Sequence, residues 1–212
     1  MARVTRILLP KLLLLAAFTS TVRADDAADL VSKGMQKFRD NDVAGALTDF
    51  DRAAKVDPQS APQLWQRGIA DYYAGKFRDG RKQFELHQTV NPHDVENAAW
   101  HFLCVARSDG LAAAKKSLLK IDTTRDTRPP MAEIYELYAG RGSPEAVLRA
   151  AAQAATPQAS MYSNLYLGLY YEAAGDADRA RTCLRKAAAA DTSDNFMQDV
   201  AKVHLRQRHW DR

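Results

Sequence analysis

Residues 65–92 read WQRGIADYYAGKFRDGRKQFELHQTVNP, and the glycines in them decide the fold. Gly68 stands inside a helical pattern, where glycine costs about 1 kcal/mol relative to alanine. Gly75 stands where that helix should end, and Pro92 closes the stretch. Shifted back by one 34-residue period, the stretch falls on VSKGMQKFRDNDVAGALTDFDRAAKVDP, residues 31–58. Gly34 then aligns with Gly68, Ala46 with Gly80, Phe50 with Phe84 and Pro58 with Pro92. The frame runs on into ENAAWHFLCVARSDGLAAAKKSLLKID, where Ala114 holds the small position, Leu118 the large one, and Phe102 replaces the glycine. MYSNLYLGLYYEAAGDADRARTCLRKAAAAD repeats it once more, with Gly168, Ala180, Leu184 and Ala187 at the spacings of Gly34, Ala46, Phe50 and Ala53.

A period of this length in helical sequence is the signature of a stacked-hairpin array. Each unit reads as a helix, a tight turn (Asn41-Asp42, Gly75-Lys76, Gly175-Asp176) and a second, antiparallel helix. The small residues at the eighth and twentieth positions let the two helices approach. The large residue at position 24 is expected to fill space toward the next unit, and the proline to stop the second helix, since a residue before proline avoids helical geometry. Gly68 is then a packing residue whose cost is offset by close helix contact.

These positions resemble the tetratricopeptide repeat. The resemblance implies an all-α, right-handed solenoid, with repeats near 27–60, 61–94, a degenerate 95–122 and 161–192. TTRDTRPP (123–130) is a polar linker before a degenerate hairpin at 129–155, whose second helix opens with Ser143 and Pro144. Residues 193–209 read as an amphipathic helix capping the open end, as a solenoid requires.

The first 24 residues, MARVTRILLPKLLLLAAFTSTVRA, carry a basic start, a short apolar run and a V-x-A site, the pattern of a secretory leader cleaved after Ala24. Their apolar run is shorter than the roughly 20 residues of a membrane span. The leader takes four of the 30 basic residues and none of the 26 acidic ones, so residues 25–212 are charge-balanced. That removes the electrostatic argument for nucleic acid or an anionic membrane. An exported, periplasmic or secreted protein without a stable membrane anchor is expected. Cys104 and Cys183 lie inside helices and read as buried free thiols, with a disulfide as the alternative in an oxidising compartment.

No phosphate loop, nucleophile elbow or zinc helix occurs, and no cofactor, metal or catalytic residue is expected. His87 stands at a repeat position suited to alanine and suggests strain or a local polar contact. His204 and His209 read as part of a solvated basic end. The side chains with most to offer a partner are those a solenoid turns toward its concave face: Val31, Met35, Phe38, Trp65, Ile69, Tyr72, Tyr73, Tyr162, Leu165 and Leu169. Large aromatics on such a wall give contact area at low entropic cost. The alternative for them is burial against the C-terminal helix. Val31 and Met35 occupy the places where a carboxylate-clamp groove has Lys and Asn, which excludes recognition of a chaperone's acidic tail.

The layout of two strong N-terminal repeats, a diverged middle and a strong late repeat is similar to the NlpI-type envelope proteins. That similarity implies a helical scaffold, commonly dimeric, that brings an envelope protease or cell-wall hydrolase to its substrate; Ala24-Asp25 stands where that family has a lipid-bearing cysteine. A scaffold that binds a protein or extended peptide is the leading expectation. Its rivals are a structural subunit of a larger envelope assembly and a ligand- or metal-binding protein using His101 and Cys104.

Overall fold

The computed structural model describes the backbone of residues 12–192 and 195–211, with side chains from residue 25 onward in those spans. Residues 1–11 of the expected leader, and the side chains of its remainder, lie outside the described residues. Among the described residues the chain is all-helical, with no strand. Helices pack in sequence-neighbouring pairs: α1 (Leu12–Arg39) with α2 (Val43–Val56), α3 (Trp65–Tyr73) with α4 (Phe77–His87), and α5 (Val95–Asp109) with α6 (Leu111–Lys116). Two more pairs follow, α7 (Met131–Tyr138) with α8 (Pro144–Ala154) and α9 (Pro157–Ala173) with α10 (Ala177–Ala188). The last helix, α11 (Phe196–Gln207), packs on α9 and α10 and also touches α1.

The turns repeat as the sequence does. Asn41, Gly75 and Gly175 all have positive φ, at 68°, 74° and 85°. Each is followed by the same bond back across the helix end: Asp42 N–H to Lys37 O, Lys76 N–H to Asp71 O and Asp176 N–H to Tyr171 O, all 2.9 Å. This is the left-handed cap that satisfies orphan carbonyls at a helix end. The diverged α7–α8 pair uses it too, with Gly140 at φ 76° and Arg141 N–H on Glu136 O. Asp42 and Asp176 then cap the following helices by accepting from Gly45 N and Arg179 N.

The repeat residues interlock within a unit. A Cβ on Gly34 would stand 2.6 Å from the Phe50 ring, on Gly68 2.7 Å from the Phe84 ring, and on Gly168 2.6 Å from Leu184. A Cβ on Gly80 would stand 3.0 Å from Gly68 O. The large residue at position 24 therefore packs onto the glycine of its own unit, and Phe84 also reaches the next one, where its ring stacks on Trp100 of α5. Ala46, Phe50, Ala53, Phe84, Ala180, Leu184 and Ala187 are buried.

Other expectations are corrected. Pro58 follows the end of α2 closely, but α4 ends at His87, well before Pro92. There the ladder tightens into short turn bonds, Thr89 N–H to Leu86 O and Val90 N–H to His87 O, before the proline is reached. Both prolines are exposed. Leu118 lies beyond the end of α6. Phe102 brings its own ring to the glycine position, 4.9 Å from Tyr138, so no large side chain from α6 is needed there. The helix expected to start at 161 starts at Pro157, set by Thr156, whose hydroxyl accepts from Ala159 N.

Candidate functional site

The wall expected to be open is largely closed by α11. Phe38, Ile69, Tyr72, Leu165 and Leu169 are buried, which corrects their assignment to an exposed groove. Phe196 of α11 sits 5.4 Å from the rings of both Phe38 and Trp65. Arg39 binds Asp199 at 2.8 Å, and Arg206 and Gln207 reach Arg39 O and Asn41. His204, expected in a solvated end, is fully buried. Its Nδ1 lies 3.0 Å from Tyr73 Oη and its Nε2 3.4 Å from Glu172 Oε2. Burial holds the His204 imidazolium below its ordinary range despite Glu172. Glu172 also receives Arg208 and, at 3.4 Å, the Tyr72 hydroxyl. Burial would raise that carboxyl, but His204 and Arg208 hold it down at about 2. These contacts fasten α11 over the repeat faces.

Val31, Met35, Trp65, Tyr73 and Tyr162 are only partly buried. Val31 and Met35 flank a shallow groove at the N-terminal end, with Leu64 and Gln66. Trp65 and Tyr162 belong to a different opening, a cavity of about 380 Å³ beside the start of α11. α3 supplies Trp65; α4 supplies Phe84 and His87; α5 supplies Glu96, Asn97 and Trp100; α9 supplies Tyr162. Asn195, Phe196 and Met197 close one side, and Asn91, Asp94 and Arg128 form a polar edge. This volume falls in the range of small-ligand and side-chain pockets.

The polar edge is built by two loops lying together. The segment after α6 runs beside the loop before α5, joined by Asp122 N–H to His93 Nδ1 (3.2 Å) and Val95 N–H to Asp126 Oδ2 (3.1 Å). That delivers Arg128 to three carboxylates: Asp126 at 2.7 Å, Asp94 at 2.7 Å, and Glu96 in a short contact. Glu96 is buried and its other oxygen accepts from Tyr166 Oη at 2.7 Å. Burial, helped by Asp94, outweighs Arg128 and pushes the Glu96 carboxyl up to about 7. Asp126 goes the other way: burial opposes ionisation, but hydrogen bonds from Arg128 and Val95 keep it below its ordinary value.

Asn97 and Trp100, one turn apart on α5, lie beneath this edge. The Asn97 amide donates to Phe84 O and Gln88 Oε1, which leaves its Oδ1 buried with no partner. Trp100 Nε1 is likewise buried and unpartnered. Buried polar atoms without partners are uncommon. His87 makes the expected local contact, Nδ1 to Pro62 O at 2.9 Å.

His101 and Cys104 are core residues. His101 Nε2 is 3.3 Å from Glu85, and burial lowers its affinity for a proton. Burial also raises the Cys104 thiol, whose sulfur stands where a Cβ on Gly80 would be crowded. Both cysteines are free, Cys183 half-buried. Among the described residues no three His, Cys, Asp or Glu converge as metal ligands, and no helix is long and apolar enough to cross a membrane.

Sequence reading missed Asp94, Glu96, Asn97 and Arg128. One signal was present: Glu96 and Asn97 are adjacent polar residues at the start of VENAAWHFLCV, where the only other polar side chain is His101. The pairing of Arg128 with that helix depends on how the linker lies, which periodicity does not encode. No protein-family model matches the chain.

Proposed function

We propose that this chain is an exported scaffold of the tetratricopeptide type, a right-handed superhelix of hairpins that grips a segment of a partner protein at the mouth of its concave face. The observation that carries this reading is the cavity between Trp65 and Tyr162, which remains open beside α11 while Phe38, Ile69, Tyr72, Leu165 and Leu169 are buried. It combines partly exposed aromatic side chains with buried polar atoms that lack partners, the composition typical of a recognition pocket. Its role would be to hold one envelope protein, of the protease or cell-wall hydrolase kind, close to its substrate.

The test is co-purification from the envelope fraction using the intact protein, a Trp65→Ala/Tyr162→Ala variant and a Leu148→Ala control. Leu148 is exposed and lies outside the pocket. A partner held by the wild type and the control but lost from the double variant, at unchanged helicity, supports the reading. Retention by all three places the contact on another face and overturns it.

A further inference from the structure

The Trp65–Tyr162 pocket is lopsided in what it can still bond. Its guanidinium and its helix-end amides are engaged. Arg128 makes four hydrogen bonds to Asp94, Glu96 and Asp126. The first amides of α5 are taken as well, Val95 N–H by Asp126 and Glu96 N–H by Asp94, so the helix end has little left to offer an anion. Among its fully buried donors the indole of Trp100 has no partner. Acceptors, by contrast, remain. Asn97 Oδ1 has no partner. The Nδ1–H of His87 donates to a carbonyl, which leaves Nε2 of the neutral ring with a lone pair. Asp94 Oδ2 accepts from the exposed Asn91 amide at 3.3 Å. Charge leans the same way, with three carboxylates around one guanidinium. The walls are aromatic faces, which attract cations. Tyr162 already carries the Arg128 guanidinium 5.8 Å from its ring centre.

We infer that the group this pocket receives is a primary ammonium or guanidinium: the side chain of a lysine or arginine in an extended partner segment, lodged between Trp65 and Tyr162 with Asp94, Asn97 and His87 as acceptors. This rests on the pocket being the binding site proposed above. A carboxylate or phosphate would meet the excess of carboxylates over guanidinium at this edge, and a neutral amide would leave that excess unanswered.

Linkage to Glu96 gives a second handle. Glu96 is faced by Arg128, Asp94, Tyr162 and Tyr166, with Asp126 beyond the guanidinium. A bound cation favours the ionised carboxylate, so affinity should rise between pH 6 and pH 8. Replacing Glu96 by Gln should remove that part of the pH dependence.

The experiment follows the three indole N–H signals of the full chain by two-dimensional NMR, with Trp210, outside the pocket, as the internal reference. Probes are blocked nonapeptides of alternating alanine and threonine with Lys, Gln or Glu at the centre, and pentylamine as a free ammonium. The expected result is that the Lys peptide moves Trp65 and Trp100, that Gln weakens binding by roughly tenfold, the scale of one cation–π contact with partial desolvation, and that Glu abolishes it. Asp94→Asn, which preserves the helix cap, should cost the Lys peptide a similar factor. Pentylamine binding as tightly as the Lys peptide would overturn the partner-segment assignment in favour of a small amine. Equal binding of the Lys and Gln peptides would overturn the inference while leaving a peptide-binding pocket. No response to any probe at millimolar concentration would overturn both.

Discussion

Replacing Gly68 by alanine sets two known effects against each other. In a helix interior the change should stabilise by about 1 kcal/mol. Here the new Cβ would stand 2.7, 2.9 and 3.0 Å from three atoms of the Phe84 ring, the first two closer than real contacts allow and the third tighter than most. Phe84 is buried and stacked on Trp100, with centroids 6.5 Å apart, so the ring cannot withdraw without moving a second one. Overpacking of this kind costs about 1–3 kcal/mol, leaving a net loss of about 1 kcal/mol. Phe84→Leu alone should cost roughly 1–2 kcal/mol through lost burial and a cavity. Together the changes should cost less than their sum by at least about 1 kcal/mol, because the methyl enters space the ring has left. Urea denaturation followed by circular dichroism at 222 nm, with unchanged slopes, reads all four corners of the cycle. If Gly68→Ala stabilises by the full helix-propensity gain, or if the two changes add, the glycine is not a packing residue and the account of the repeat fails.

Three further outcomes are expected. Glu96→Gln should be less costly at pH 8 than at pH 5: a carboxyl raised to about 7 from 4.5 contributes its full stability below 4.5 and loses it as pH rises to about 7; paired thermal melts at the two pH values measure the difference, and a constant difference contradicts the burial argument. Glu172→Gln should cost about 2–4 kcal/mol by leaving the half-buried Arg208 without its anion, and should loosen α11 first, read by hydrogen exchange in residues 196–207; uniform loosening contradicts it. Trp65→Ala should cost only about 1–2 kcal/mol, since the side chain is partly exposed and packs mainly on Phe196. Global unfolding of that variant would make Trp65 a core residue and remove it from the pocket.

The hairpins were legible because their determinants are local. Gly34, Gly68 and Gly168 recur in register with the bulky residue each accommodates, and Asn41, Gly75 and Gly175 mark turns that need positive φ. Even the diverged pair announced itself through Ser143-Pro144. What α11 does was not legible in the same way. An amphipathic helix shows that it has an apolar face but not which surface that face meets, and His204 looked like part of a basic tail until Glu172, Tyr73 and Trp210 surrounded it. The concave wall was therefore assigned by repeat position, and five of its ten residues are buried. Of the pocket, Trp65 and Tyr162 were found by that rule. Its polar edge joins residues more than 30 positions apart through a linker that has no period to read.

The most direct test of the binding reading is site-specific photocrosslinking in the intact cell. A photoreactive phenylalanine replaces Tyr162 in one variant and Leu148, exposed and outside the pocket, in another. The account predicts a discrete covalent adduct at position 162, its contact peptide carrying a lysine or arginine, and none at position 148. An adduct at 148 with none at 162 would place the working surface elsewhere and contradict it.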